Sequence, residues 1–203
     1  MIETINLFPI PIFKIKIVPT DEQYQALDKL LTNWFDKSTE ALWALEDGKS
    51  TGEQSLNLHT YPEMKWLAEA THLNACHFWV HLDYAKHAQL VLPTSWANLH
   101  KNGQATGEHS HCGGSQKAHV SAVYYFKKPA NSGNILFRDP LEYIHTLTPQ
   151  DEYNEETTPK AHREIQADQF DLLLFPSWLK HMTKVNETDE DRIAISMNFV
   201  GVW

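Results

Sequence analysis

The sequence predicts a mainly β fold: a double-sheet jelly roll preceded by bracing helices. Three observations predict it. From Leu90 onward, short runs rich in Val, Ile, Tyr and Phe alternate with Gly, Asn, Asp and Pro turns, with no helical stretch between them. Ahead of Leu90, two segments carry the 3.6-residue spacing of amphipathic helices. Within several β-runs, apolar residues on one face oppose Ser, Asn, Tyr or Arg on the other.

The elements follow in order. Phe13, Ile15 and Ile17 alternate with Lys14 and Lys16, the pattern of a strand with one wet face. Thr20 offers an N-cap with Asp21 and Glu22 behind it. Leu27, Leu30, Leu31, Trp34 and Phe35 then form the apolar stripe of a helix ending near Lys37. Residues 38–59 read as loop, with a short helical turn around Glu40–Leu45. Thr60 and Glu63 make a capping-box pattern, with Pro62 in the permitted first turn. The helix they open runs to about Tyr84 and is expected to brace a sheet through Trp66, Ala70, Leu73, His77, Val80 and Tyr84. Strands are predicted over 90–92, 95–100, 118–127, 134–138, 143–147, 162–166, 171–175, 181–185 and 192–202. With no repeat or linker, residues 1–203 read as one domain. Residues 1–89 supply a strand and bracing helices, and 90–203 the β core.

Composition narrows the function classes. The chain is 42% hydrophobic and 21% charged, ordinary globular values. A formal charge of −9 gives no bulk attraction to nucleic acid or an anionic membrane. Cys76 and Cys112 make no disulfide framework. The N-terminus lacks a signal-peptide pattern, and no apolar run approaches the ~20 residues of a membrane span. A reducing cytoplasm is the expected compartment.

Face analysis singles out a lined interior. Ala118, Val120, Ala122, Tyr124 and Phe126 share one face of their strand, opposite His119, Ser121, Val123 and Tyr125. In the last strand Ile193, Ile195, Met197 and Phe199 oppose Arg192, Ala194, Ser196 and Asn198. Trp96, Asn98 and His100 oppose Ala97 and Leu99. A polar face ordinarily looks at water, but solvent faces favour Lys, Glu and Thr. Ser, Asn, Tyr and one Arg suit a pocket.

Of twelve histidines, three have the placement of metal ligands. His109 and His111 are one residue apart, so on extended chain both imidazoles point the same way. His181 follows a distant β-run, Asp171-Leu-Leu-Leu-Phe-Pro-Ser-Trp-Leu-Lys, apolar enough to keep water off that side. Three protein ligands leave open positions for a chelating substrate and O₂. A closed four-ligand zinc site lacks a fourth ligand, and Cys112 should face away from His111. His77 and His81 could share a helical face as a zinc pair, though no third ligand is near. Arg192 can hold a carboxylate in a bidentate pair and Tyr125 can donate to it. Together they suit the far end of a diacid whose other end chelates the metal. The plainer alternative for Arg192 is a surface salt bridge with Asp189 or Asp191.

These stretches resemble the iron(II)- and 2-oxoglutarate-dependent oxygenases, in particular a small bacterial and phage group of them. The similarity is carried by Asn6-Leu-Phe-Pro-Ile-Pro11, Trp96-Ala-Asn98, His109-Ser-His111 and Ser121-Ala-Val-Tyr-Tyr125. It continues through Ser132-Gly-Asn-Ile-Leu-Phe-Arg-Asp-Pro140, Phe175-Pro-Ser-Trp-Leu-Lys-His181 and Arg192-Ile-Ala-Ile-Ser-Met-Asn198. The resemblance implies a cupin-like double-stranded β-helix and a hydroxylase-type dioxygenase that decarboxylates 2-oxoglutarate to succinate. Fe(II), 2-oxoglutarate and O₂ are its implied cofactors. His109, His111 and His181 would be the metal ligands, with no further catalytic residue. Arg192 and Tyr125 would bind the co-substrate, with Asn98, Ser196 and Asn198 lining its site.

Two departures stand out. His111 occupies the position where the wider class has Asp, which leaves the metal's charge unreduced. Ala194 stands where a polar residue often follows the anchor arginine, and Ser196 or Asn98 would compensate. Asp139 is a fallback carboxylate ligand, though its Asp-Pro context reads as a turn. Two other readings remain: a three-His cupin-type dioxygenase that does not use 2-oxoglutarate, and a non-catalytic metal- or ligand-binding module. The expected prime substrate is a small molecule or a protein side chain. Nucleic acid and membrane are disfavoured as partners.

Overall fold

The structure is a computed structural model, describing residues 3, 8–36, 44–45, 48–51, 57–113, 117–142 and 161–203. Among these, β1 (Phe13–Lys16) and α1 (Asp21–Phe35) precede two short strands, β2 (Ala44–Leu45) and β3 (Lys49–Ser50). Two 3-10 turns lead into α2 (Lys65–His81). Then come β4 (Gln89–His100), β5 (Ala105–Thr106), β6 (Val120–Lys127), β7 (Ile135–Arg138) and β8 (His162–Ile165). The chain closes with β9 (Asp171–Pro176), β10 (His181–Thr183) and β11 (Arg192–Val202). The expected strand over 143–147 lies outside the described residues.

The major sheet is six-stranded, ordered β1-β9-β6-β11-β4-β3, and a three-stranded sheet is ordered β10-β7-β8. Every pairing is antiparallel. Two apolar clusters separate three layers. One joins α1 and α2 to the sheet through Leu27, Leu31, Leu67, Phe78, Val120, Tyr124, Ile195 and Phe199. The other, with Tyr125, Leu173, Phe175 and Ala194 against Ile135 and Phe137, lies between the two sheets. Strand alternation therefore sends one face of the major sheet to the helices and the other to the interior of a β sandwich.

Local signals explain most boundaries. Thr20 caps α1: its hydroxyl accepts from Gln23 N, and Gln23 Oε1 accepts from Thr20 N at 2.9 Å. Leu27, Leu31 and Phe35 bury the predicted stripe. Pro93 does not end the strand that contains it. Asn198 faces Thr94 and Val200 faces Val91, so β4 absorbs the proline as a bulge and continues.

Three expectations are corrected. Thr60 is not the cap of α2. Its hydroxyl donates to Asn57 O at 2.7 Å, and the helix begins at Lys65. The helix buries Leu67, Thr71, Ala75, Phe78 and Trp79 and leaves Leu73 and Val80 exposed. Its apolar residues surround the axis, so spacing alone does not choose a face. Around Glu40–Leu45, the described pair Ala44–Leu45 is not helical. It pairs with Ala105–Thr106, tertiary pairing overriding local propensity.

Candidate active site

The polar faces that the sequence distinguished line one cavity of about 630 Å³. Trp96, Asn98 and His100 from β4, Val123 and Tyr125 from β6, and Arg192, Ala194, Ser196 and Asn198 from β11 all border it. They do not look at bulk water. His119 and Ser121 are the exceptions on that face: Ser121 Oγ bonds Ser177 and Asn198, and His119 turns away. His119 precedes β6, packs its ring 5.7 Å from that of Trp79, and accepts from Gly201 N.

His109, His111 and His181 meet at this cavity. His109 and His181 form an antiparallel bridge, each N–H donating to the other's carbonyl at 2.9–3.0 Å. His111 N donates to Ser177 O at 2.9 Å, fixing the second histidine on the same chain segment. One nitrogen from each ring lies within 4.8 Å of the others, the scale of one ion's coordination sphere. Among the described residues this is the one cluster of metal-ligating type.

Backbone carbonyls orient two of the rings. His109 Nδ1 bonds Gly107 O at 2.8 Å and His181 Nδ1 bonds Leu179 O at 2.9 Å. A carbonyl accepts only, so each Nδ1 carries the proton and each Nε2 keeps a lone pair. Phe175 meets the His181 ring edge-on at 4.8 Å and Phe137 lies tilted against it at 6.0 Å, which dries that side. Burial, then the two neighbouring imidazoles, pushes His111 down to about 3. Burial and His109 push His181 down to about 4, and burial lowers His109. All three are neutral at neutral pH, the state a metal ligand requires. Asp139 is not in the cluster; its Oδ1 accepts from Leu141 N, as its turn context predicts. Cys112 is exposed, its sulfur 3.4 Å from Ser110 Oγ.

Arg192 is 1% exposed and makes no bridge to Asp189 or Asp191. Its Nη1 donates to Ser132 O, Gly133 O and Lys184 O, and its Nη2 to Thr183 Oγ1 at 2.9 Å. Burial lowers it to about 10, which leaves it charged at neutral pH. Gly133, at φ +82°, makes the cradle possible. A Cβ there would sit 2.3 Å from Lys184 O and 2.7 Å from Arg192 Nη1. Tyr125 is buried in the same cavity, and its hydroxyl has no hydrogen-bond partner. Tyr124, on the opposite face, gives its hydroxyl to Ile17 O. An uncompensated buried guanidinium beside an orphaned phenol fits an anionic ligand.

Asn98 accepts from Ser50 Oγ, and Asn198 from Ser121 Oγ. Along β11, Asn198 lies about 20 Å from Arg192 at ~3.3 Å per residue. It therefore borders the opposite end of the cavity, near Trp96 and His111, whose rings are 5.5 Å apart. Sequence reasoning did not select His100, Thr106, Thr183 or Gly133. The available signal was the face it assigned to His100 beside Trp96 and Asn98.

Comparison with known proteins agrees with this chemistry. The sequence model of the family described as "Putative 2OG-Fe(II) oxygenase" matches residues 94–198, just over half the chain. No curated protein matches the sequence. Among solved structures, the non-haem α-ketoglutarate-dependent carbocyclase SnoK from nogalamycin biosynthesis superposes with TM-score 0.62 at 13% identity, over 94% of this chain and 79% of that one. HygX from Streptomyces hygroscopicus, with nickel, 2-oxoglutarate and hygromycin B bound, gives 0.59 at 14%, over 94% and 82%. A Pseudomonas putida prolyl-4-hydroxylase gives 0.60 at 10%, over 94% and 92%. At these identities the likeness is one of fold, the double-stranded β-helix.

Proposed function

The chain belongs to the 2OG-Fe(II) oxygenase family, and from that premise we propose that His109, His111 and His181 hold its iron while Arg192 and Tyr125 hold the distal carboxylate of 2-oxoglutarate. The protein is a 2-oxoglutarate-dependent non-haem iron oxygenase. When bound, iron(II) supplies the redox chemistry that couples decarboxylation of 2-oxoglutarate to succinate with oxidation of a second substrate by O₂.

The observation that carries the residue assignment is convergence of three neutral imidazoles beside a buried, acid-free arginine. The Gly107 and Leu179 carbonyls hold His109 and His181 in the tautomer whose Nε2 can ligate. Arg192 keeps its Nε–H and part of Nη2 for a carboxylate, and Tyr125 adds a neutral donor raised well above its ordinary titration range by burial. Asn98, opposite Ala194 in the register, lines the co-substrate half, and Ser196, opposite Trp96, and Asn198 lie progressively farther from Arg192 along the same wall. Phe175 and Phe137 exclude water from the His181 side of the site.

The prime substrate we infer is a small molecule or a protein side chain, approaching past Trp96. The reducing cytoplasm is the compartment we assign. The test is succinate formation from 2-oxoglutarate under Fe(II). His181→Ala is expected to abolish both metal retention and turnover. Full turnover in that variant would refute the ligand assignment.

A further inference from the structure

Beyond Arg192 and Tyr125, a third polar group borders the cavity at its Arg192 end. His100 ends β4 directly opposite Arg192 in the β11 register. It is 2% exposed and lines the cavity. Its Nε2 lies 3.0 Å from Thr106 Oγ1, while its Nδ1 is buried with no hydrogen-bond partner. Thr106 N donates to Thr183 Oγ1 at 2.9 Å, the same oxygen that accepts from Arg192 Nη2. Arg192, Thr183, Thr106 and His100 thus form one hydrogen-bonded chain from four strands. Its two ends, the arginine and the unpartnered imidazole nitrogen, belong to residues paired across β11 and β4.

We propose that His100 is a further co-substrate-binding residue, donating from Nδ1–H to the 2-oxoglutarate carboxylate held by Arg192 and Tyr125. The inference rests on the co-substrate reading above. The tautomer follows from what each nitrogen faces. If Thr106 donates its hydroxyl proton to Nε2, the ring proton sits on Nδ1 and meets the anion. The other tautomer would turn an Nδ1 lone pair toward a carboxylate, and both groups would be acceptors. A neutral ring is what the site enforces, since burial and the Arg192 charge push His100 down to about 3. Thr106 is then a positioning residue, acting through His100. A neutral donor here strengthens carboxylate binding without a second cation beside Arg192. It also selects a carboxylate oxygen over a carboxamide N–H at that point of the ligand.

The test uses the iron-loaded full chain with 2-oxoglutarate. His100→Phe keeps a ring and removes the donor. The expected result is a KM for 2-oxoglutarate raised at least about ten-fold, with kcat at saturation changed less than about three-fold. His100→Asn, which returns an N–H near the Nδ1 position, should restore most of the KM. Thr106→Val should raise it by a smaller factor. An unchanged KM in His100→Phe overturns the proposal while leaving the co-substrate assignment standing, provided Arg192→Ala still loses 2-oxoglutarate. A native enzyme that does not bind 2-oxoglutarate overturns both. Where His100→Phe fails to fold, ¹⁵N-histidine NMR of the zinc-loaded native protein decides. Addition of 2-oxoglutarate should give a slowly exchanging proton on His100 Nδ1, and a proton on Nε2 instead would refute the proposal.

Discussion

Gly133 shows how a residue with no side chain can shape a site. Its positive φ, and the 2.3 and 2.7 Å at which a Cβ would meet Lys184 O and Arg192 Nη1, leave no room for a methyl group. Gly133→Ala must therefore displace either the Lys184 carbonyl or the guanidinium. It is expected to raise the KM for 2-oxoglutarate more than about ten-fold and to cost about 1–3 kcal/mol of stability. Substrate titration and chemical denaturation of one preparation read both effects. His111 poses a different question at the same scale. Among the described residues its ring has no hydrogen-bonding partner, unlike the other two imidazoles. The position is expected to accept a shorter ligand: His111→Asp should keep metal binding by equilibrium dialysis, while His111→Ala should weaken it at least about ten-fold. A larger loss with Asp than with Ala would contradict that expectation.

At the scale of elements, the first edge of the major sheet is held by a buried carboxylate. Asp171 opens β9 and contacts Lys16 at 2.8 Å and Lys14 at 3.2 Å, both from β1, and accepts from Asp168 N at 2.8 Å. Burial raises its pKa, but the Asp168 backbone bond and the two lysines outweigh that, so the net shift is downward. A depressed folded-state pKa means this contribution is present above the unfolded value near 4 and disappears as pH falls through the folded one. Asp171→Asn is expected to cost about 1–3 kcal/mol at pH 7. The difference from the native protein should shrink below about pH 4 in pH-resolved denaturation. On the other side of the sheet, Thr20→Ala removes half of the α1 capping box and should cost about 1 kcal/mol.

The whole molecule places its site between two sheets while its helices lie on the opposite face of the larger one. That separation lets the helix-side core of Ile195, Met197 and Phe199 stay apolar while Arg192, Ser196 and Asn198, on the same strand, border the cavity. Metal and co-substrate both bind only the folded arrangement. Adding 2-oxoglutarate at about 100 times its Kd to the Mn(II)-loaded protein should add about 2.7 kcal/mol of stability. Arg192→Ala should abolish that increment and leave the stabilisation by Mn(II) alone. Among the described residues no helix is long and apolar enough to cross a membrane.

Period-two alternation in 95–100, 118–126 and 192–199 determined, from sequence alone, most of the residues that face the cavity, and it separated Tyr125 from Tyr124. The spacing of His109 and His111 likewise determined that the two imidazoles point together. Strand geometry is local, so these properties can be read from a string of residues. The sequence could not determine which face of α2 is buried, because apolar side chains ring that helix. Nor could it tell that Arg192 sits in a cradle of carbonyls or that His100 meets Thr106. Those facts depend on which strands become neighbours, and contacts between β4, β5, β10 and the Ser132–Gly133 turn exist only once the sheets have closed on one another.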